Sequence, residues 1–267
     1  FGTFKNKSFR KHLLVYLLSF TGKDFYSTLL PTFIVIGLSG TSANAPWVLQ
    51  ALSAFGILST LAAVKLMVTR GPKYLFTLSY LSIIVAMLGY LVIYLTGINN
   101  PMWMLVIVSI IYQLGRGILE FTPWNVFPFI PDVDRIFTHG DKAGVYASVM
   151  TFFRKSTGAL ATYIAGWALE EIGFNSTTMT THANTPLGIQ HGIMLIFIFV
   201  PIGLLVAALI AARTFKLNRA NHDILKAELQ RLEEGGSKAD VTLEARQVVE
   251  LLTGHPYEKC WPDLADI

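Results

Sequence analysis

Long apolar stretches dominate the pattern of this chain, and polar residues are concentrated between them and in the last fifty or so positions. A helix needs roughly 20 mostly apolar residues to cross a hydrocarbon core about 30 Å thick. Six stretches reach that length, at 13–38, 46–68, 74–95, 102–127, 145–172 and 192–212. Because backbone polar groups must be paired inside lipid, the pattern predicts an all-α membrane protein with a six-transmembrane-helix bundle.

The segments outside these stretches have a different pattern. Residues 1–12 form a short basic juxtamembrane segment, and residues 213–267 form a polar C-terminal tail. The tail predicts two short amphipathic helices, at about 221–234 and 241–252, and the first of them has one apolar stripe: Ile224, Leu225, Leu229 and Leu232. We expect the tail to pack as a cap on the membrane domain; a regulatory or partner-binding tail is the alternative.

Composition supports the membrane assignment. The 267 residues are 53% hydrophobic and only 14% charged, with a mean hydropathy of +0.52, whereas soluble domains carry about 25% charged residues. A single soluble globule is therefore disfavoured. The chain has one cysteine, which excludes an intramolecular disulfide framework and a metal site built from cysteines.

The positive charges lie in alternate connections. Apart from those deep inside the apolar stretches, the basic residues of the membrane part lie in the leading segment or in and beside the second and fourth connections: Lys5, Lys7, Arg10, Lys11, Lys65, Arg70, Lys73, Arg135 and Lys142. The connections at 39–45, 96–101 and 173–191 have no lysine or arginine. Since basic loops stay on the cytoplasmic side, we expect a multi-pass protein of the cell (inner) membrane with both termini cytoplasmic. The basic pI then reflects topology, and no nucleic-acid partner is expected.

Ionisable residues inside the apolar stretches are the first candidates for a functional site, because a charge at mid-membrane costs several kcal/mol. Six lie away from the ends of a stretch, in the first, fourth and fifth stretches: Lys23, Asp24, Arg116, Glu120, Arg154 and Lys155. Lys23 and Asp24 are adjacent, so their side chains point roughly 100° apart and cannot share one target. Arg116 and Glu120 are four residues apart and can neutralise each other on one helix face.

These four cations and two acids leave two positive charges uncompensated in the bundle. Either another part of the carrier supplies acids or the substrate does, and both readings suit a transporter. Lys155 is the cation that we favour for a functional role, with Thr151 one turn before it on the same face.

Helix breakers and an aromatic residue accompany the charged stretches. Gly22 and Pro31 flank Lys23, and prolines crowd the end of the fourth stretch around Trp124 and Asn125. Interrupted helices expose backbone groups that transporters use at substrate sites. Trp124 is either a tryptophan of the interfacial belt or an aromatic residue that stacks on a sugar.

Four runs of this sequence resemble one family. They are TFKNKSFRKHLLVYLL at the start, TPWNVFPFIPDVD in the fourth stretch, FTHGDKAGVYASVMTFFRKSTGALATYIAGWALEEIGF in the fifth, and NHDILKAELQRLEEGG in the tail. They are similar to the C-terminal half of the glycoside–pentoside–hexuronide:cation symporters, the melibiose permease group of the major facilitator superfamily. The resemblance implies that this chain is one half of a twelve-helix fold.

The resemblance also implies roles for particular residues. Lys155 matches the family's intramembrane lysine on helix eleven, which takes part in sugar and cation coupling, Thr151 matches a threonine one turn earlier, and Trp124 matches a tryptophan of the sugar site. The candidate substrate-binding residues are therefore Lys155, Thr151, Trp124, Lys23, Asp24, Arg116, Glu120, Arg154 and Asn125.

The expected partners follow from the same resemblance. They are a small sugar or glycoside, the lipid bilayer and the N-terminal six-helix half of the same carrier. The coupling cation, Na⁺ or H⁺, would be bound mainly by that half, and no cofactor and no metal site are expected in this chain.

Two other functions stay open at this point. One is a lysolipid-type carrier of the same superfamily, and the other is a self-contained six-helix channel or receptor. An enzyme is not expected, because the histidines lie in loops, tails or span ends without a nucleophile motif or metal-ligand spacing.

The charge distribution gives a test of topology. A cysteine placed at Ser176, in the uncharged fifth connection, should react with an impermeant thiol reagent added from outside, and a cysteine at Ser237, in the tail, should not. The reverse labelling pattern would contradict cytoplasmic termini.

Overall fold

Ten α-helices account for most of the computed structural model, which describes residues 2–42, 45–138, 140 and 142–262. The first eight are α1 (Lys7–Thr32), α2 (Ala45–Ala51), α3 (Ala54–Arg70), α4 (Pro72–Thr96), α5 (Met102–Val126), α6 (Ile130–Thr138), α7 (Ala143–Glu171) and α8 (Leu187–Arg213). The tail contains α9 (Arg219–Glu233) and α10 (Leu243–Thr253). The described residues contain no strand, so the prediction of an all-α fold is confirmed.

Four helical segments of the described chain are long and apolar enough to cross a membrane: Ala45–Arg70, Pro72–Thr96, Met102–Thr138 and Leu187–Arg213. They coincide with the second, third, fourth and sixth predicted spans. Helices α1 and α7 are long enough, with 26 and 29 residues, but they carry internal charges and are not in that group. Their membrane crossing stays a prediction.

Helix α1 starts earlier than the predicted span and changes its winding near its end. It begins at Lys7 because the side-chain oxygen of Asn6 accepts a hydrogen bond from the backbone N–H of Phe9 at 3.1 Å, which caps the helix. Much of the predicted juxtamembrane segment is therefore helical. Beyond Pro31, α1 passes into a π-helical turn at Phe33–Gly37, a form often found at functional sites.

Two other predicted spans differ from the structure. The second is broken into α2 and α3, with Leu52 and Ser53 between them. The fourth continues through a short 3₁₀ turn at Phe127–Phe129 into α6, which the sequence analysis placed in a connection. Pro128 lies in that turn, and α6 then buries one apolar face: Ile130, Val133 and Ile136.

Helix α1 lies in the middle of the bundle, where it packs against α7 and α8, while α5 packs against α3 and α4. A core of aromatic rings joins α1, α4 and α8. The rings of Phe33 and Phe197 are stacked with centroids 4.3 Å apart, and the Tyr26 and Tyr90 hydroxyls are hydrogen-bonded at 2.9 Å. Because Tyr90 also bonds to Ser109 at 2.6 Å, these buried hydroxyls are satisfied within the core.

The tail docks on α6 and on the start of α1. His222 Nε2 lies 2.7 Å from Asp132 Oδ2, and the imidazole stacks on Phe129 with centroids 4.2 Å apart. The hydroxyl of Ser8 donates to the carbonyl oxygen of Leu252 at 2.7 Å. These contacts fix α9 and α10 to the end of the bundle at which α5 continues into α6.

The single cysteine, Cys260, does not interfere with the labelling test. It is 1% exposed, and burial raises the pKa of its thiol to about 11 because the charged thiolate is disfavoured away from water. A buried thiol that stays protonated reacts slowly with thiol reagents.

Glycine makes the contact between α3 and α5 possible. A Cβ atom at Gly117 would overlap the carbonyl oxygen of Gly56 and the hydroxyl of Ser59. The hydroxyl of Thr60 donates to the carbonyl oxygens of Gly56 and Gly117, at 2.9 and 3.3 Å, across the same contact. The two backbones therefore approach closely.

Replacing Gly117 should destabilise the bundle. Gly117→Ala overpacks the contact between α3 and α5, and we expect a loss of about 1–3 kcal/mol in the free energy of unfolding. Gly166→Ala is the matched control, because no atom lies within 4 Å of a Cβ there. Thermal unfolding of both purified variants checks this, and equal midpoints would contradict it.

Candidate functional site

One carboxylate on α5 holds two cations. Lys23 Nζ and Arg116 Nε both lie 3.0 Å from Glu120 Oε1, and Arg116 Nη1 also donates to Gln113 Oε1 at 3.4 Å. The predicted pairing of Arg116 with Glu120 is present, and Lys23 joins it from α1. The Glu120 side chain is 40% exposed, so this carboxylate remains accessible to a solute.

A second ion pair joins α1 to α7. Arg154 Nη1 and Nη2 donate to Asp24 Oδ2 and Oδ1, at 2.6 and 2.9 Å. Two parallel hydrogen bonds to a carboxylate are stronger and more directional than a single contact. As the helix geometry predicts, the adjacent residues Lys23 and Asp24 have different partners, so α1 is tied to α5 through one and to α7 through the other.

A chain of three aromatic residues begins at these ion pairs. Lys23 Nζ and Arg154 Cζ each lie 4.9 Å from the ring centroid of Phe20, within the range of a cation–π contact. The Phe20 ring packs on Tyr16 at 4.4 Å, and Tyr16 meets the edge of Trp124 at 5.9 Å. We call Trp124, Tyr16 and Phe20 the aromatic ladder.

The sequence analysis did not identify Tyr16 and Phe20. Their spacing carries a signal, because Tyr16, Phe20 and Asp24 are four residues apart and share one face of α1. A charged residue in an apolar stretch with aromatic residues one and two turns before it can be found in this way.

Lys155 is the exception among the four cations. It is exposed, and it has no hydrogen bond or ion pair with any residue that the structure describes. Thr151 is also exposed on the same face of α7, and the two side chains are not hydrogen-bonded to each other.

Small and polar residues continue this face of α7: Gly144, Ser148, Ala159, Thr162 and Gly166. A neighbouring face presents bulky residues instead, with Phe152 65% and Tyr163 72% exposed.

Trp124 and Asn125 lie at the end of α5. The Trp124 side chain is 45% exposed while its ring edge contacts Tyr16, so one part of the indole is free to meet a ligand. Asn125 donates to the carbonyl oxygen of Phe121 at 2.9 Å and has no hydrogen bond with the described charged residues of the site. The structure therefore brings Trp124 to the ion pairs through the ladder and leaves Asn125 apart.

A polar cavity of about 440 Å³ opens between α5 and the broken helix α2–α3. Its walls include Gln113, Arg116 and Glu120 from α5 and Ser53 and Thr60 from the other side. Gln113 and Thr60 were missed by the sequence analysis, although a glutamine one turn before Arg116 in an apolar stretch is a readable signal.

The chemistry of the site is ion pairing and hydrogen bonding. Among the described residues, no group of three or more His, Cys, Asp or Glu is placed to hold a metal ion. Carboxylates, guanidinium groups, an ammonium and an exposed indole are the groups that bind a polar solute with an apolar ring face.

Long apolar helices linked by intramembrane ion pairs are typical of membrane proteins that move polar solutes. The sequence matches the family described as MFS/sugar transport protein over residues 2–219, and the chain belongs to that family. No curated protein was found to match this sequence. The match extends from the segment before α1 to the first residue of α9.

Family membership confirms the broad predictions. The resemblance to a major facilitator family of sugar transporters is confirmed, and the chain is a secondary transporter of that membrane family rather than an enzyme. A channel or receptor is not supported.

The bidentate pair gives a test of the site geometry. Arg154→Lys loses one of the two hydrogen bonds to Asp24, because an ammonium cannot match both carboxylate oxygens. We expect a loss of about 1–2 kcal/mol in the free energy of unfolding. Lys23→Arg is the control, since Lys23 contacts one oxygen of Glu120 only. Thermal unfolding of the purified carrier measures both, and an Arg154→Lys variant as stable as the unsubstituted protein would refute the role of the pair.

Proposed function

We propose that this chain is the C-terminal half of a cation-coupled sugar or glycoside symporter that uses Na⁺ or H⁺. In this proposal both termini are cytoplasmic and the carrier lies in the cell inner membrane. The observation that carries the proposal is Lys155, an exposed cation without a described partner, one residue away from a site in which the other three cations are paired.

A second six-helix half is part of this proposal. Alternating access requires one bundle to move against another around a site near the middle of the membrane. Apolar side chains on α3 and α7 are largely exposed in this half: Ile57 is 64%, Leu61 65% and Tyr163 72% exposed. The surplus of two positive charges also calls for acids outside the described site, and a partner half that carries the coupling cation would supply them.

The site offers a way to hold a sugar. The exposed indole of Trp124 can stack on the apolar face of a sugar ring, while hydroxyl groups bind charged side chains. Glu120 already shares one oxygen between Lys23 and Arg116, so a sugar hydroxyl can take over one of these contacts without leaving the carboxylate unpaired.

Lys155 provides the coupling in this mechanism. A lone ammonium in the membrane is tolerable when it is paired with a carboxylate, bound to substrate oxygens or deprotonated. In this proposal Lys155 pairs with acids of the partner half while no coupling cation is bound to them. When the cation binds to those acids, Lys155 loses this pairing and binds the substrate instead. A lysine that changes partners in this way links the two binding events.

A lysolipid-type carrier is the second candidate function. One cavity of about 410 Å³, lined mainly by apolar atoms, lies beside α1 and α2 and includes Leu30, Pro31, Val35 and Trp47. Such a cavity suits an acyl chain. Inhibition of uptake by a lysolipid but not by disaccharides would favour this function.

The test of the proposed function is substitution of Lys155 in the complete carrier. Lys155→Ala should abolish cation-driven sugar accumulation while the protein still inserts, and Lys155→Arg should restore little, because the guanidinium is larger and does not release its proton. Lys65→Ala is the control, since Lys65 is an exposed lysine at the end of α3, without an ion pair to a described residue. Uptake is normalised to inserted protein. Near-normal accumulation by Lys155→Ala would overturn the proposal.

A further inference from the structure

The Phe20 ring contacts the cation of each of two ion pairs. The ammonium of Lys23 and the guanidinium of Arg154 come from different helices, yet each lies 4.9 Å from the same ring centroid. Phe20 is 5% exposed and its ring packs against Tyr16, so the ring is fixed where the two cations meet it.

The placement of this ring suits an exchange of partners. Lys23 and Arg154 are like charges, and each is anchored by one acid, Glu120 or Asp24. A cation that leaves its acid in a poorly solvated site needs another stabilising contact, and the face of an aromatic ring provides one through its quadrupole.

We propose that Phe20 is a positioning residue of the transport site: its ring retains whichever of Lys23 and Arg154 has lost its acid, so that the two ion pairs exchange partners as one unit. The exchange itself rests on the proposed transport function. The contact of both cations with the ring is a feature of the structure and does not depend on that function.

The aromatic ladder extends this role to the substrate. Trp124 is exposed at the far end of the ladder, and Tyr16 contacts both Trp124 and Phe20. A sugar that stacks on Trp124 shifts the indole against Tyr16, and Tyr16 in turn presses on Phe20. Occupancy of the sugar platform is thereby connected to the ion pairs by contiguous contacts.

The first experiment measures the link between the ion pairs without any substrate. The midpoint of thermal unfolding is measured for Asp24→Asn, Glu120→Gln and the double variant of the complete carrier, each with and without Phe20→Leu. We expect the midpoint shifts of the two acid variants to be non-additive when Phe20 is present, and this non-additivity to fall at least about twofold with Phe20→Leu.

Phe25→Leu is the matched control, because Phe25 lies on the same helix, is 4% exposed and makes no cation–π contact with a described residue. It removes the same atoms from the core and should leave the non-additivity unchanged. Equal non-additivity in the Phe20→Leu and Phe25→Leu backgrounds would overturn the proposal.

The second experiment measures transport with radiolabelled melibiose as the probe. Because the ring acts on the exchange step, Phe20→Leu should lower the maximal rate by about tenfold with a much smaller change in the half-saturating concentration. Phe20→Tyr keeps the ring and should recover most of the rate, whereas Phe25→Leu should change neither quantity. An equal loss in both leucine variants would contradict the role of Phe20. Absence of melibiose uptake by the unsubstituted carrier would count against the proposed sugar function, while the unfolding experiment would still decide the role of Phe20.

Discussion

A charge in a medium of low polarity must be paired, and α1 places two opposite charges at adjacent positions. Since adjacent side chains on a helix diverge, Lys23 and Asp24 cannot satisfy one neighbour and must reach two. Glu120 on α5 pairs with Lys23, and Arg154 on α7 pairs with Asp24. The position of α1 between these helices is thus fixed by electrostatics as well as by packing. Removing one partner of such a pair leaves an uncompensated charge, so a substitution of any one of these four residues is expected to be destabilising.

Besides the ion pairs, the position of α5 depends on close contact between helix backbones. Helix α5 must bring Arg116 and Glu120 to α1 while it also packs against α3 and α4, and this is possible only where its side chains are small. Gly117 meets Gly56 on α3, and Ser79 on α4 donates to the carbonyl oxygen of Gly115 at 3.0 Å. The glycines at positions 115 and 117 lie immediately beside Arg116, so the same turn of α5 carries both the closest packing and a charge of the site.

The sequence predicts a large part of this arrangement, because apolar length and isolated charges are local signals. The long helices and the divergence of Lys23 and Asp24 follow from spacing alone. Helix α6 does not, since its apolar face is buried by a tail that is distant in the sequence, and its residues look like a charged connection when that partner is unknown. The break between α2 and α3 could not be predicted either, because neither a proline nor a charged residue lies at it. The partner of Arg154 could not be chosen from the sequence, because two acids were available and only the packing of α7 on α1 selects Asp24.

The bundle divides its cations into two kinds. Lys23, Arg116 and Arg154 are engaged with acids on other helices or turns, and their contacts hold α1, α5 and α7 together. Lys155 lies one residue beyond Arg154, yet the helical rotation places it on the small, polar face of α7 rather than against α1. A paired charge is costly to move, whereas a cation without a described partner can bind a new anion or hydroxyl without first breaking a contact to the described residues. The two neighbouring positions on α7 therefore suit opposite tasks: Arg154 fixes the helices, and Lys155 is available to respond to what enters the site.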